Sequence, residues 1–311
     1  MDLHPEVKKD LEKNLKDFDC ELTVSEMRTE DKNTIVPMEK RTFIYSVRDE
    51  KAVLDNTEIS VRVYEPKREE NSPVILFIHG GGFVRCSIET HDEVCRNLAL
   101  YSGWKVISPE YRLAPEFKFP VQIEDCFNTI KWIIGNAEKL KVNPEKIAVC
   151  GDSAGGNIAA STAKLAMDMG EISILKQVLI YPVIDYYSEK NGSVYDSYEK
   201  NAYGYGLSAK SMNRYWSYYT NSEEYKNNPY LSLTYGEKFS ELPEALVITA
   251  KYDPLCDEGE YYAEKMREAG VYVETKRYEN LNHAFLNALP DLEECKDVYK
   301  RIAKFLNQEE K

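Results

Sequence analysis

A chain of 311 residues with 43% hydrophobic and 30% charged side chains can bury one large core. Its apolar runs are strand-sized, well short of the roughly 18 residues of a membrane span. A formal charge of −13 repels nucleic acid and anionic lipid surfaces, so neither is expected as a partner and a small neutral or weakly charged molecule is.

Along the chain, residues 1–41 are charged and helix-favouring, as in Val7-Lys8-Lys9-Asp10-Leu11-Glu12, and carry no apolar stretch of signal type, so export is not expected. Seven cysteines, at 20, 86, 95, 126, 150, 256 and 295, are odd in number, widely spaced and free of any C-x-x-C pair. That favours reduced thiols in a cytoplasm over disulfides or a zinc site. Strand-like runs occur at Thr42–Val47, Ile59–Tyr64, Val74–His79, Val106–Pro109, Ile147–Gly151, Val178–Pro182, Ala245–Ala250 and Val271–Tyr278. Several are continuous apolar blocks, as expected of strands buried on both faces of a parallel sheet. Helical patterns alternate with them at about Thr90–Tyr101, Val121–Ala137, Ala154–Met169, Asp257–Ala269 and Asp291–Asn307. The alternation predicts an α/β fold, a doubly wound sheet with its site at the carboxyl ends of the strands. Residues 186–240 break it and hold 12 of the 23 tyrosines. Tyrosine joins an apolar body to a polar tip, which suits a cover over a partly wet cavity.

Gly151-Asp152-Ser153-Ala154-Gly155 lies between the apolar run Ile147–Cys150 and the helical stretch from Asn157. Strand, tight turn with small residues at both ends, then helix is the setting of a nucleophile elbow, which lifts the serine hydroxyl clear of the sheet. A serine hydroxyl needs a base, usually a histidine oriented by a carboxylate. Of the four histidines, at 4, 79, 91 and 283, only His283 follows the serine, as the order serine, acid, histidine requires on such sheets. Asp253 lies directly after the buried run Ala245–Ala250, at a strand's carboxyl end. Asp257 and Glu258 are rivals that better suit the start of the next helix, where acidic residues meet its positive end. His79-Gly80-Gly81-Gly82 follows another buried strand, and its glycines free backbone N–H groups for an oxyanion. It lacks the Lys-Ser/Thr or G-x-G-x-x-G of a phosphate loop. The N–H of Ala154 is the natural further donor.

His79-Gly80-Gly81-Gly82-Phe83-Val84, Tyr111-Arg112-Leu113-Ala114-Pro115-Glu116, Gly151-Asp152-Ser153-Ala154-Gly155-Gly156-Asn157, Asp253-Pro254-Leu255-Cys256-Asp257-Glu258-Gly259 and Asn282-His283-Ala284-Phe285 together resemble the hormone-sensitive-lipase-like branch of the α/β-hydrolases, above all its small bacterial acetyl esterases. The resemblance implies Ser153, Asp253 and His283 as a triad and the N–H groups of Gly81, Gly82 and Ala154 as the oxyanion hole. It implies a catalytic domain of residues 42–185 and 241–311, with 1–41 and 186–240 as a helical cap. His79 would shape the glycine loop without moving protons. Two positions depart from the family, Cys86 and Ala284, each where relatives usually carry glycine. Cys86 would then narrow the acyl pocket or confer thiol sensitivity.

The sequence thus predicts a serine esterase for short acyl chains, needing no cofactor or metal. Amide cleavage by the same triad is the alternative. A long-chain lipase lacks an exposed apolar segment to support it, and a non-catalytic binding module would have no need of all three triad residues. Whether the working unit is a single chain or a homodimer is not written in these patterns.

Overall fold

The computed structural model describes residues 2–18, 22–53, 57–220 and 223–309; Cys20 lies outside them. The block Val74–Ile78 runs through the sheet's middle because both its faces are covered. Val74, Leu76 and Ile78 enter one core with Val149, Ile158 and Met266. Ile75 and Phe77 enter a second with Leu98, Val178 and Ile302. Fully burying such a side chain is worth about 1.5–3 kcal/mol.

The strands are β1 (Ser46–Val53), β2 (Glu58–Glu65), β3 (Ser72–Ile78), β4 (Lys105–Pro109), β5 (Val142–Asp152), β6 (Lys176–Ile180), β7 (Glu244–Tyr252) and β8 (Val273–Asn282). They form one sheet in the order β1-β2-β4-β3-β5-β6-β7-β8. The β1–β2 and β2–β4 pairs are antiparallel and every later pairing is parallel. The helices are α1 (Pro5–Phe18), α2 (Val24–Glu30), α3 (Asp92–Ser102), α4 (Val121–Gly135), α5 (Ala137–Leu140), α6 (Ala154–Met169), α7 (Asp196–Lys200), α8 (Ala209–Tyr219), α9 (Cys256–Glu268), α10 (Phe285–Ala288) and α11 (Glu293–Leu306). Buried residues of α3 and α11 cover one face, and those of α4, α6 and α9 cover the other. No helix among the described residues is long and apolar enough to cross a membrane.

The first strand differs from its sequence-based position at Thr42–Val47. Residues 42–45 are irregular: Phe43 is exposed, and Thr42 is held to α3 by a bond from its N–H to Glu93 (2.8 Å) and one from Arg96 to its carbonyl (3.1 Å). The strand starts at Ser46 and carries Arg48, Asp49, Glu50 and Lys51, charges tolerated because this edge faces water.

Residues 186–240 contain α7, α8 and short 3-10 turns. Met212, Trp216 and Tyr219 recur on one face of α8 and are buried, as an amphipathic helix laid on a core requires. Arg214 of α8 donates to the carbonyl of Leu22, joining this insertion to the N-terminal segment. That segment opens α2 with a reciprocal cap between Thr23 and Glu26.

Candidate active site

Five adjacent strands, β3, β5, β6, β7 and β8, end on one edge of the sheet, and the predicted site residues lie at or just past four of these ends. At the end of β5, Ser153 adopts φ 55 and ψ −122 before α6 begins. Such a conformation is costly for a non-glycine residue and is held by bonds from the Ser153 N–H to Ile180 O (2.9 Å) and from the Val183 N–H to Ser153 O (3.1 Å). The turn closes only over glycines: a Cβ on Gly151 would lie 2.2 Å from the Gly155 carbonyl oxygen, and one on Gly155 would lie 2.1 Å from that of Ile78.

Ser153 Oγ lies 2.8 Å from His283 Nε2, and His283 Nδ1 lies 2.6 Å from Asp253 Oδ2. The Asp253 carboxylate is fully buried, and its other oxygen accepts from the Leu255 N–H at 2.9 Å. Asn201 of the insertion donates to the carbonyls of Lys251 (3.0 Å) and Asp253 (3.1 Å), fixing the turn from above. Tyr181, at the end of β6, sets its ring edge-on to the imidazole with 5.0 Å between centroids. Asp257 and Glu258 stand elsewhere, in the first turn of α9. Asp257 accepts from the Ser197 N–H and Glu258 from the Ile184 N–H, each at 2.8 Å.

The glycine loop follows β3. Gly81 and Gly82 have φ of 113 and 60, a region glycine enters at little cost. Among the described residues no acceptor meets the N–H of Gly81, Gly82 or Ala154. The Tyr215 ring of α8 covers Gly82, so that a Cβ there would lie 2.5 Å from ring carbons. Beside it, Phe83 stacks on Tyr219 at 3.8 Å and tilts against Trp216 at 5.2 Å.

His79 is buried beneath this loop, its Nδ1 2.8 Å from the Gly80 carbonyl and its ring stacked on Tyr111 at 4.4 Å. Burial, assisted by the neighbouring His91, lowers its pKa to about 4, so it stays neutral near pH 7. His91, at the start of α3, faces the Asp152 carboxylate at 3.4 Å. His4 holds the chain's start, its N–H bonded to Asn280 O at 2.8 Å. Among the described residues no group of three or more His, Cys, Asp or Glu side chains is arranged to hold a metal ion.

A family model described as the α/β hydrolase fold matches residues 75–287. The chain belongs to the α/β-hydrolase family. It is 36% identical to an arylesterase of Saccharolobus solfataricus, over 93% of this chain and 94% of that one. It is 31% identical to an ethyl acetate hydrolase of Pseudomonas putida, over 82% of this chain and 80% of the relative. Among solved structures it resembles a hyperthermophilic esterase of Pyrobaculum calidifontis, with TM-score 0.93, 40% identity and 98% of each chain covered.

Two features of this α/β-hydrolase were not visible in sequence. The two positions at which the resemblance leads to an expectation of glycine both fall in left-handed backbone, Cys86 at φ 69 and Ala284 at φ 60, where glycine is least strained. The Cys86 thiol is directed to the N-terminal segment, with Sγ 3.8 Å from Asp31 Oδ1, and burial and the Asp31 charge push its pKa up. The sequence-based expectation of thiol sensitivity finds no support in that setting, since the thiolate is the reactive form. Asp152 touches Gly80, Tyr181 touches His283, and Asp31 touches Arg85 and Cys86; only contacts distant in sequence reveal them.

Proposed function

We propose that this chain, a carboxylic-ester hydrolase, cleaves short acyl esters through an acyl-enzyme, with Ser153 as nucleophile, His283 as general base and acid, and Asp253 as the group orienting the imidazole. The observation that carries the reading is the unbroken relay from Asp253 Oδ2 through His283 to Ser153 Oγ, at 2.6 and 2.8 Å.

Ser153 Oγ attacks the ester carbonyl while His283 Nε2 takes its proton. Buried Asp253 holds Nδ1–H toward itself and stabilises the imidazolium. The N–H groups of Gly81, Gly82 and Ala154 meet the oxyanion; losing one such donor typically costs about 10²–10³ in rate. Collapse breaks the bond to the alkoxide, which takes the proton from Nε2 and leaves as alcohol. Water then attacks the acyl-enzyme, His283 takes its proton, and the acid departs as that proton returns to Ser153.

Residues 1–41 and 186–240 act as a cap on this reading, supported by the contact of Tyr215 with Gly82. The buried rings of Phe83, Trp216 and Tyr219 beside it already fill the space next to the glycine loop, which favours a short acyl chain. Each added CH₂ gains about 0.8 kcal/mol only while apolar room remains, and beyond that overpacking costs about 1–3 kcal/mol. Hydrolysis of p-nitrophenyl esters from acetyl to palmitoyl, with matching anilides, tests the proposal. kcat/KM is expected to peak between acetyl and butyryl and to fall by octanoyl, with Ser153→Ala inactive and an organophosphate attached at Ser153. A steady rise to palmitoyl would make the protein a lipase, anilides as good as esters would make it an amidase, and attachment elsewhere would remove Ser153 from the mechanism.

A further inference from the structure

The glycine loop is gripped from outside the sheet by the segment that ends α2. Asp31 is buried, at 5% exposure, and its two oxygens divide between neighbouring residues of the loop. Oδ2 accepts from the Cys86 N–H at 2.9 Å, and Oδ1 accepts from Arg85 Nε at 2.8 Å and from its Nη2. One turn earlier, Arg28 Nε donates to the Val84 carbonyl at 2.9 Å, while its other nitrogens hold the Ala114 carbonyl and the Glu116 carboxylate. Three consecutive loop residues are thus tied to two residues, Arg28 and Asp31, of one short segment.

Their placement is passed directly to the oxyanion donors. The Gly81 carbonyl accepts from the N–H groups of Val84 (3.1 Å) and Arg85 (3.0 Å). The Arg85 carbonyl lies so close over Gly81 that a Cβ there would meet it at 2.2 Å. A shift of Arg85 or Cys86 therefore turns the Gly81 peptide. Cys86 is itself held at φ 69, a conformation that an outside acceptor on its N–H helps to maintain.

We propose that Asp31 is a positioning residue for the oxyanion hole, holding Arg85 and Cys86 so that the Gly81 and Gly82 N–H groups aim at the developing oxyanion. It touches neither substrate nor the reacting atoms. Its effect belongs to the transition state, because the donors matter most once the oxygen carries charge. The inference rests on the esterase reading above.

The test compares p-nitrophenyl acetate with its thionoacetate, in which sulfur, a poor hydrogen-bond acceptor, replaces the carbonyl oxygen. A working oxyanion hole favours the oxygen ester. Asp31→Ala is expected to lower kcat for the oxygen ester by about 10–100-fold with KM nearly unchanged, since small misplacements of catalytic groups cost up to about 10²-fold. The oxygen-to-sulfur rate ratio is expected to shrink alongside it. Asp31→Asn keeps an acceptor for the Cys86 N–H and loses the charge facing Arg85, so it is expected to fall between wild type and Asp31→Ala. It carries the test alone should Asp31→Ala not fold. A merely structural role would lower both substrates equally, and an unchanged ratio in the folded variant overturns the inference while leaving the esterase reading intact. A wild-type protein that cleaves no ester overturns both.

Discussion

The Gly80 N–H donates to Asp152 Oδ1 at 2.9 Å, so the residue before Ser153 also holds the first glycine of the loop that follows β3. The ends of β3 and β5, which carry the proposed oxyanion donors and nucleophile, are thereby joined by a direct bond. Burial raises the Asp152 carboxyl, but His91, the Gly80 N–H and His79 together outweigh it and hold the group below its usual range.

Asp152→Asn tests that bond. The carboxamide oxygen still accepts from Gly80, but a bond to a neutral acceptor is weaker by about 1 kcal/mol, so kcat is expected to fall about fivefold. The pH dependence has a definite sign. A carboxylate with a depressed native pKa stabilises the fold above its unfolded pKa, near 3.9, and that contribution is lost as pH falls through the native value. The Tm advantage of wild type over Asp152→Asn is therefore expected to be full at pH 6 and to shrink below about pH 4. Parallel Tm curves from pH 6 to 3 would show that the Asp152 charge adds nothing.

Gly155→Ala places a methyl group 2.1 Å from the Ile78 carbonyl oxygen. The atoms it meets, the Ile78 and His79 carbonyl oxygens, are both backbone, and Ile78 lies in the central strand β3, so neither can yield cheaply. A stability loss of at least about 1–3 kcal/mol is expected from overpacking, together with loss of turnover as the elbow opens. Urea unfolding and ester hydrolysis on the same preparation check both; a folded, active variant would mean the turn tolerates a wider path.

The physical reasons that made some of this legible also explain what was hidden. Val74–Ile78 and Ala245–Ala250 read as strands because both faces are buried, leaving no polar alternation. β1 did not, because an edge strand can carry Arg48–Lys51 while the β-favouring Thr42–Tyr45 makes no ladder. Ser153, Asp253 and His283 could be named because each stands next to a recognisable strand end, and the structure brings them within hydrogen-bond distance. Asp31 and Asp152 could not be assigned a task, since their partners lie 55 and 72 positions away in the chain. Tyr181 looked like any strand-end aromatic until the imidazole was set beside it.

Ala284→Gly is expected to be neutral or stabilising. Left-handed backbone costs a non-glycine residue about 1–2 kcal/mol, and glycine returns about 0.4–1 kcal/mol of that through its freer unfolded chain. The same change at Ala159, inside α6, should instead lose about 1 kcal/mol. Thermal unfolding of the two variants gives the contrast, and equal losses would show that φ 60 at Ala284 carries no strain.

Glu258 offers a pH effect of the opposite sign to that of Asp152. Its carboxyl is buried at 1% exposure, and burial first, then the charges of Asp185 and Asp253, push its pKa well above the ordinary carboxyl range despite the bond from the Ile184 N–H. A group whose native pKa is raised contributes stability that is full below its unfolded pKa and is lost as pH climbs through the native one. The native protein thus holds a proton at Glu258 that the unfolded chain releases near pH 4.3. Gln reproduces the neutral acid's shape and keeps the oxygen that accepts from Ile184. Glu258→Gln is therefore expected to match wild type in Tm near pH 4 and to exceed it by a margin that grows toward pH 9. Turnover should survive the change, because His283 is paired with Asp253 at 2.6 Å and Glu258 serves a different segment. A Tm difference that stays constant from pH 4 to 9 would mean that Glu258 is ionised in the folded protein, and loss of esterase activity would mean that it supports the Asp253 turn directly.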